Sequence, residues 1–137
     1  MKHFLVLDVG TTGVKGFVFD SNLKPIAKSY YRLHKNFPKK GWVEQNPKEL
    51  IAKSILALRK AVKISGVSTK SLASFGITNQ RETTILWDKK TGQPVYPAIV
   101  WEDTRTSAKT KSLGRRYNAL VSRKTGLPIN PYFSATK

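Results

Sequence analysis

Residues 8–13 read Asp-Val-Gly-Thr-Thr-Gly and lie between two apolar runs. The run before them, residues 4–7, is continuously apolar, whereas residues 14–19 alternate as a half-buried strand does. A third run, residues 25–33, follows a short polar turn and is more polar. Because two short turns join three strand-like runs, the sequence predicts an antiparallel three-stranded meander.

A long helix is predicted from Pro47 to the residue before Gly66. Asn46 is a favourable N-cap, proline suits the first helical position, and Glu49 stands at the third, as in a capping box. Glycine commonly ends a helix because it adopts the left-handed conformation freely. We expect the helix to cover the sheet with an apolar face formed by Leu50, Ile51, Ile55, Leu58 and Val62.

The remainder of the chain predicts more strands and a second helix. Residues 72–77 form a strand-like apolar run, and residues 83–87 and 98–101 are interpreted as two further strands. Asp-Lys-Lys-Thr-Gly at residues 88–92 predicts a hairpin turn, and residues 104–122 are weakly helical. Strands on both sides of a helix favour an α/β fold with a mixed sheet.

The composition is that of an ordinary globular chain. Of 137 residues, 39% are hydrophobic and none is cysteine, which excludes disulfides and thiolate metal sites. No apolar run approaches the roughly 20 residues that cross a bilayer. The first apolar run is also too short for the core of a signal peptide, so we expect a cytoplasmic protein that makes no membrane contact.

The charge is strongly positive, with 25 lysines and arginines against 8 acids and a formal net charge of +17. Such a field attracts polyanions, so a non-catalytic basic module that binds nucleic acid is an alternative function. The basic residues occur singly or in short clusters, with no run of five or more. This pattern favours charges spread over solvated surfaces, and we do not expect nucleic acid as a partner.

The turn at residues 8–13 is the first candidate site. Two glycines and two threonines in a short turn let backbone N–H groups and hydroxyls converge on an anion such as a phosphate. Asp8 would then lie close enough to bind Mg²⁺, and Lys15 would neutralise phosphate charge. The alternative is a plain hairpin whose glycines only satisfy backbone geometry. The candidate residues for phosphate and metal binding are Asp8, Gly10, Thr11, Thr12, Gly13 and Lys15, with Asp8 as the metal ligand.

The second candidate site is Thr-Asn-Gln-Arg-Glu-Thr at residues 78–83. A polar stretch directly after an apolar strand is a common way to line a cleft. Arg81 only donates hydrogen bonds and Glu82 only accepts them, so together they match hydroxyl groups, which do both. The alternative is a surface salt bridge within a turn.

The third candidate site lies around Trp101, which ends an apolar run. This tryptophan would form either a cleft wall against the C–H faces of a sugar or a part of the core. Asp103 and Arg105 are spaced as a structural ion pair. Trp42 and Trp87 have no polar cluster beside them, so we assign both to packing.

Five stretches of the chain, taken in order, resemble one protein family. They are residues 7–12, 41–47, 76–87, 98–101 and 131–134. On these stretches the chain resembles the FGGY family of carbohydrate kinases, and within it the glycerol kinases. The resemblance implies a ribonuclease-H-like, actin-like ATPase fold of the α/β class. It further implies a mixed sheet with flanking helices, of which only the N-terminal half is present.

The resemblance also implies a reaction, the transfer of the γ-phosphoryl group of ATP to glycerol to give glycerol 3-phosphate. Family members use the Asp-x-Gly-Thr-Thr turn for the phosphates of Mg²⁺-ATP, which assigns the turn at residues 8–13 to ATP and Mg²⁺. In glycerol kinases an Arg-Glu pair and a later tyrosine bind the hydroxyls, and a tryptophan lies against the carbon backbone. The substrate-binding residues implied here are Arg81, Glu82, Trp101 and Tyr132.

Two departures from the glycerol kinase pattern leave the acceptor open. Residues 13–15 are Gly-Val-Lys, where glycerol kinases usually have Ser-Ser-Arg, and this pattern is more like xylulose-type relatives. Asp103 and Thr104 also replace the residues expected in glycerol kinases. A kinase for another sugar, such as xylulose, is therefore the alternative assignment.

Members of the FGGY family are several times longer and have two domains. We therefore interpret residues 1–137 as an incomplete N-terminal domain whose C-terminal domain is absent. The general base and most of the adenine pocket are expected beyond Lys137, so no catalytic residue is assigned. The isolated chain is predicted to be inactive, and a homo-oligomer is a further expectation for the full-length enzyme.

Overall fold

The computed structural model describes the whole chain, Met1–Lys137, which divides into two compact units. Unit 1 consists of Met1–His34 and Asn46–Gln80, and unit 2 of Lys35–Gln45 and Arg81–Lys137. The strands are β1 (His3–Val9), β2 (Gly13–Phe19), β3 (Pro25–Arg32), β4 (Glu44–Gln45), β5 (Leu72–Thr78) and β6 (Ala98–Ile99); the helices are α1 (Pro47–Ser65) and α2 (Ser107–Thr125). Neither helix is both long and apolar enough to cross a membrane.

Unit 1 contains a four-stranded sheet in the order β3-β2-β1-β5. β1 pairs with β2 and β2 pairs with β3, both antiparallel, which confirms the predicted meander. β5 pairs with β1 in parallel, so the sheet is mixed, as predicted. On β2, Val14, Gly16 and Val18 are buried together because residues two apart share one face of a strand.

α1 begins and ends where the sequence predicted. The side chain of Asn46 accepts a hydrogen bond from the backbone N–H of Lys48 at 2.9 Å, and Pro47 occupies the first turn. Gly66 follows the last turn with a φ of 65°, in the left-handed region. Local capping signals therefore set both ends of this helix.

The face of α1 that covers the sheet was predicted only in part. Leu50 is buried and Leu58 and Val62 are half-buried, but Ile51 is 64% exposed and Ile55 is 44% exposed. The positions that are fully buried in the second half of the helix are alanines, Ala57 and Ala61. The buried face is therefore rotated away from the two isoleucines.

The close approach of α1 to β2 and β3 explains this rotation. A Cβ atom on Gly16 would lie 2.5 Å from the carbonyl oxygen of Ala57. The hydroxyl of Ser29, on β3, donates a hydrogen bond to the same oxygen at 2.6 Å. A contact this close admits small residues and not isoleucine. The adjoining core contains Val18, Ala27 and Ala61, with Leu5, Val62 and Val67 packed against it.

Unit 2 contains a two-stranded antiparallel sheet of β4 and β6. The predicted strand over residues 83–87 is wrong, because these residues make only isolated bridges, from Thr84 to Ile99 and from Trp87 to Pro94. The facing segment contains prolines at positions 94 and 97, which lack the N–H that a continuous ladder needs. β6 also ends at Ile99, before the turn at residues 101–102.

The two tryptophans assigned to packing differ in how far they are buried. Trp42 is half-buried, and the guanidinium carbon of Arg105 lies 3.8 Å from the centroid of its ring, which agrees with a packing role. Trp87 is 64% exposed, so its assignment to packing is wrong. It lies in the segment that makes only isolated bridges, where its backbone pairs with Pro94.

The predicted turn at residues 88–92 is confirmed, since the N–H of Gly92 donates to the carbonyl oxygen of Asp88 at 2.8 Å.

α2 is displaced by three residues from its predicted limits. It begins at Ser107, and the N–H of Thr104, before the helix, donates to the carbonyl oxygen of Gly41 at 2.8 Å. It ends at Gly126, whose φ of 75° is the same end signal that terminates α1.

The centre of unit 2 is ionic. Asp103 is 1% exposed and binds the guanidinium of Arg105 at 2.8 Å, which confirms the predicted ion pair. Asp103 also accepts a hydrogen bond from the N–H of Val43 at 2.6 Å, and Arg105 binds Glu44 at 2.8 Å. Burial opposes both charges, but these hydrogen bonds outweigh it, lowering the pKa of Asp103 and raising the pKa of Arg105. Both groups are therefore charged at neutral pH.

Candidate functional site

The turn between β1 and β2 is closed by its own backbone. The N–H of Gly10 donates to the carbonyl oxygen of Gly13 at 3.0 Å. A Cβ atom on Gly10 would lie 3.1 Å from that oxygen, so a larger residue would press on the turn. Thr11 is half-buried and Thr12 is exposed. The two glycines therefore allow the two ends of the turn to approach closely, and Thr12 is exposed to solvent.

Tyr30, on β3, lies against the same turn. Its hydroxyl donates to the carbonyl oxygen of Thr12 at 3.2 Å, and the N–H of Leu33 donates to that oxygen at 3.0 Å. A Cβ atom on Gly13 would lie 2.4 Å from the Tyr30 ring. Gly13 is therefore the residue that lets the ring reach the turn, a role that the spacing of the sequence does not show.

The end of β5 reaches the turn from the other side. Thr78 pairs with Asp8 across the parallel β1–β5 ladder. Gln80, which is buried, donates from its amide nitrogen to the carbonyl oxygen of Gly10 at 3.1 Å. The carboxyl ends of β1 and β5 therefore meet at one edge of the unit 1 sheet, where polar side chains gather. Ligand sites in sheets with parallel strands commonly lie at such an edge.

Asp8 and Lys15 form an ion pair at 2.9 Å, and both side chains are about one-third exposed. They face each other across β1 and β2. The chain contains no group of three histidine, aspartate or glutamate residues that would hold a metal by itself. One carboxylate is nevertheless the donor set that Mg²⁺ uses when phosphates and water supply its remaining ligands. Asp8 therefore fits a metal that arrives with a nucleotide.

In unit 2, Glu82 is held in place by Ser134. One carboxylate oxygen, Oε2, accepts hydrogen bonds from the N–H of Ser134 at 2.8 Å and from its hydroxyl at 3.0 Å. These bonds lower the pKa of Glu82 below its ordinary value. Glu82 has a φ of 66°, an unusual conformation for a residue with a Cβ. Arg81 precedes it in the same turn and is exposed.

Trp101 and Tyr132 meet edge to face. Their ring centroids are 5.6 Å apart, with an angle of 64° between the planes. Trp101 is half-buried and Tyr132 is 39% exposed. The N–H of Trp101 also donates to the hydroxyl of Thr83 at 3.3 Å. Neither ring is fully buried, so both keep exposed surface beside their contact.

Lys137 joins two segments of unit 2. Its ammonium donates to the carbonyl oxygens of Val100 at 3.1 Å, Trp101 at 3.3 Å, Asp103 at 3.2 Å and Pro131 at 2.9 Å. The first three belong to the turn that carries the tryptophan, and the fourth belongs to the segment that carries the tyrosine. The sequence interpretation missed this residue, because a single lysine carries no local signal of such a contact.

Each unit brings together one set of predicted residues. The turn in unit 1 gathers the six residues assigned to phosphate and metal, and unit 2 gathers the four assigned to hydroxyls and carbon. Sequence reasoning assigned no supporting role to Tyr30, Gln80, Ser134 or Lys137, although Gln80 lies within the second candidate stretch, residues 78–83. The only sequence signal for Ser134 was its inclusion in the stretch 131–134, which carried part of the family resemblance.

The family model for "FGGY family of carbohydrate kinases, N-terminal domain" matches residues 3–137. The chain belongs to the FGGY family of carbohydrate kinases. The sequence resemblance is thus confirmed, and so is the predicted fold class, because the solved FGGY kinases that match this chain have the actin-like ATPase fold.

Curated relatives of this FGGY chain are glycerol kinases. The glycerol kinase of Saccharolobus islandicus is 46% identical over 136 residues, and that of Rhizobium rhizogenes is 42% identical over 136 residues. These matches cover 99% and 98% of this chain and 27% of each relative. The chain therefore spans about a quarter of the length of the curated relatives it matches.

A solved structure, the crystal structure of Plasmodium falciparum glycerol kinase with ADP, has a TM-score of 0.89 to this FGGY chain at 34% identity. The match covers 99% of this chain and 28% of that one. The arrangement of strands and helices is therefore shared over nearly all of the 137 residues.

Proposed function

We propose that this FGGY chain is the part of an ATP-dependent kinase that binds the acceptor and the nucleotide phosphates, and that the acceptor is glycerol. The observation that carries the proposal is the convergence of Glu82, Trp101 and Tyr132 within unit 2, through Ser134 and the edge-to-face ring contact. The similarity of this chain to glycerol kinases supports glycerol as the acceptor.

The chemistry of these side chains matches a small polyol. Glu82 is ionised at neutral pH, so it only accepts hydrogen bonds, and Ser134 uses one of its two oxygens. The other oxygen remains for an acceptor hydroxyl. Arg81, exposed in the same turn, donates to a second hydroxyl, and the rings of Trp101 and Tyr132 lie against the carbon backbone.

The turn in unit 1 supplies the contacts for ATP phosphates in this proposal. Thr11 and Thr12 offer hydroxyls and N–H groups, and Lys15 offers a point charge that compensates the phosphates. Mg²⁺, bound with ATP and held by Asp8, would supply charge neutralisation during phosphoryl transfer. Ion pairing with Lys15 keeps the carboxylate of Asp8 directed across the two strands until a nucleotide arrives.

No residue of the chain is proposed as the general base. Transfer to a hydroxyl requires a base within hydrogen-bond reach of the acceptor proton, and the lowered pKa of Glu82 makes its carboxylate a poor base. We propose that the 137 residues bind glycerol and the ATP phosphates but do not catalyse phosphoryl transfer, and that the remainder of the enzyme completes the reaction.

A hybrid enzyme tests the proposal. Residues 1–137 would replace the aligned segment of the Saccharolobus islandicus glycerol kinase, and ADP release would be measured with glycerol and with xylulose. The expected result is turnover that depends on glycerol. Glu82→Gln should lower kcat/KM for glycerol about ten- to a hundredfold, because a hydrogen bond to a charged group is lost. Lys111→Met, an exposed change on α2, is the matched control.

Two results would contradict the proposal. A folded hybrid that phosphorylates xylulose and not glycerol would move the assignment to another sugar. Glycerol 3-phosphate formed by the isolated 137-residue chain, above the level of an enzyme-free mixture, would show that the chain contains its own general base.

A further inference from the structure

The ammonium of Lys137 occupies a cage of backbone oxygens. Four carbonyl groups, of Val100, Trp101, Asp103 and Pro131, lie within 2.9 to 3.3 Å of its nitrogen. An ammonium has three N–H donors, so the four oxygens share them. A compact cation with donors in several directions fits such a cage, whereas the planar fork of an arginine does not.

The charge of Lys137 is part of this contact. Burial lowers the pKa of Lys137 from its ordinary value of 10.5, but carbonyl acceptors favour the charged form. Bonds from the ammonium form to the four carbonyls are charge-assisted. A neutral side chain of similar length would leave the four oxygens with no donor in common.

The cage joins the two segments that hold the acceptor residues. Three of its oxygens lie in the turn that contains Trp101, and the fourth, from Pro131, is adjacent in sequence to Tyr132. Ser134, which holds Glu82, lies between Pro131 and Lys137. One cation therefore fixes the spacing between the tryptophan and tyrosine rings and also the segment that orients the carboxylate.

We propose that Lys137 is a positioning residue of the acceptor site, whose ammonium holds the Trp101 and Tyr132 rings at the separation that glycerol binding requires. This inference rests on the proposed function. Lys137 acts without touching the substrate, because its effect passes through the backbone carbonyls. The same carbonyl cage should accept a small free cation with N–H donors when the lysine side chain is removed.

The test uses the 137-residue chain with Lys137→Ala and two NMR readouts. The first is the nuclear Overhauser contact between the Trp101 and Tyr132 rings, and the second is the Kd for glycerol from a titration. The variant should lose the ring contact and bind glycerol about tenfold more weakly, as expected for loss of charge-assisted hydrogen bonds. Lys111→Met should change neither readout.

Chemical rescue separates positioning from general destabilisation. Ammonium chloride added to Lys137→Ala should restore both the ring contact and glycerol binding, because ammonium donates to the cage. Tetramethylammonium chloride at the same ionic strength should restore neither, because it has no N–H. Lys137→Arg should behave like the alanine variant, since its planar fork does not fit the cage.

The outcomes distinguish the inference from the proposed function. A ring contact and a glycerol Kd that survive Lys137→Ala, or a loss that ammonium fails to rescue more than tetramethylammonium, would overturn the positioning role. If the unmodified chain binds no glycerol while the ring contact still depends on Lys137, the proposed acceptor is wrong and the cage still sets the ring spacing. If glycerol binds equally well to both chains, only the positioning role is contradicted.

Discussion

The turn of unit 1 and the acceptor region of unit 2 are built by different means. Backbone hydrogen bonds close the turn at Gly10 and Gly13, and the absence of side chains there lets Tyr30 approach. In unit 2, charged side chains bind backbone groups, as Glu82 does with Ser134 and Lys137 does with four carbonyls. The turn of unit 1 therefore depends on small residues that leave room for close packing, and the acceptor region of unit 2 depends on charged side chains.

This difference determines how each region should fail. A region that depends on small residues is damaged by an added methyl group at any pH. A region that depends on charge is damaged when one partner is removed, and the damage is greatest where the remaining charge is buried.

The largest effect should follow removal of the buried carboxylate of unit 2. Asp103→Ala removes one of the two carboxylates that bind the guanidinium of Arg105, leaving Glu44, and it also removes the acceptor of the Val43 N–H, so we expect the free energy of unfolding to fall by about 3–5 kcal/mol. Urea unfolding followed by circular dichroism measures this. Asp88→Ala, which removes an exposed acid from the turn at residues 88–92, should cost at most about 1 kcal/mol. Equal losses in the two variants would contradict the buried ion network.

The next effect concerns the close contact between Gly16 on β2 and Ala57 on α1. Gly16→Ala places a methyl group 2.5 Å from the carbonyl oxygen of Ala57, which is backbone and cannot swing aside. We expect a loss of about 1–3 kcal/mol, the usual cost of overpacking. Gly114→Ala is the matched control, because its Cβ meets nothing within 4 Å on α2. That change should instead stabilise the chain by about 0.5–1 kcal/mol, so a loss there would count against this reasoning.

Acid should weaken unit 2 through Asp103. Its pKa in the folded chain is below the ordinary value of 3.8, so between the two values the unfolded chain binds more protons. The stability that Asp103 contributes is therefore complete above its unfolded pKa and is lost as the pH falls through its folded pKa. The free energy of unfolding, measured from neutral pH downward, should fall less steeply below pH 3.8 in Asp103→Asn. Parallel curves for the two chains would contradict this assignment.

The smallest effect concerns the carboxylate of Glu82. Ser134→Ala removes the hydroxyl but keeps the backbone N–H, so the pKa of Glu82 should rise part of the way toward its ordinary value of 4.5. Titration of the side-chain carbon by NMR measures this shift, with Ser112→Ala on α2 as a control that should leave it unchanged. A pKa unaffected by loss of the hydroxyl would show that the backbone bond alone orients Glu82.

Local signals made the fold of unit 1 predictable. The meander follows from short turns between alternating runs, and the ends of α1 follow from Asn46 and Gly66. The buried face of α1 was less predictable, because its contact depends on Gly16, which lies more than thirty residues earlier and shows only in three dimensions. Periodicity identified an apolar stripe but not which part of it faces the sheet.

Unit 2 was less predictable because long-range contacts hold it. The segment at residues 83–87 has the composition of a strand, but the prolines facing it prevent a ladder. Lys137 binds carbonyls 34 to 37 residues earlier in the turn after β6, and no local pattern reports this. Glu82 and Trp101 were predicted as site residues, whereas the groups that hold them were not.

One NMR experiment tests whether unit 2 binds glycerol and the turn of unit 1 binds the phosphates of ATP. The labelled 137-residue chain would be titrated with glycerol and, separately, with Mg²⁺-ATP, while amide and indole shifts are followed residue by residue. We expect glycerol to shift the signals of Ser134, Trp101 and Tyr132 to saturation, and Mg²⁺-ATP to shift those of Gly10 and Thr12. Glycerol shifts confined to unit 1, or none in unit 2 at any concentration, would contradict it.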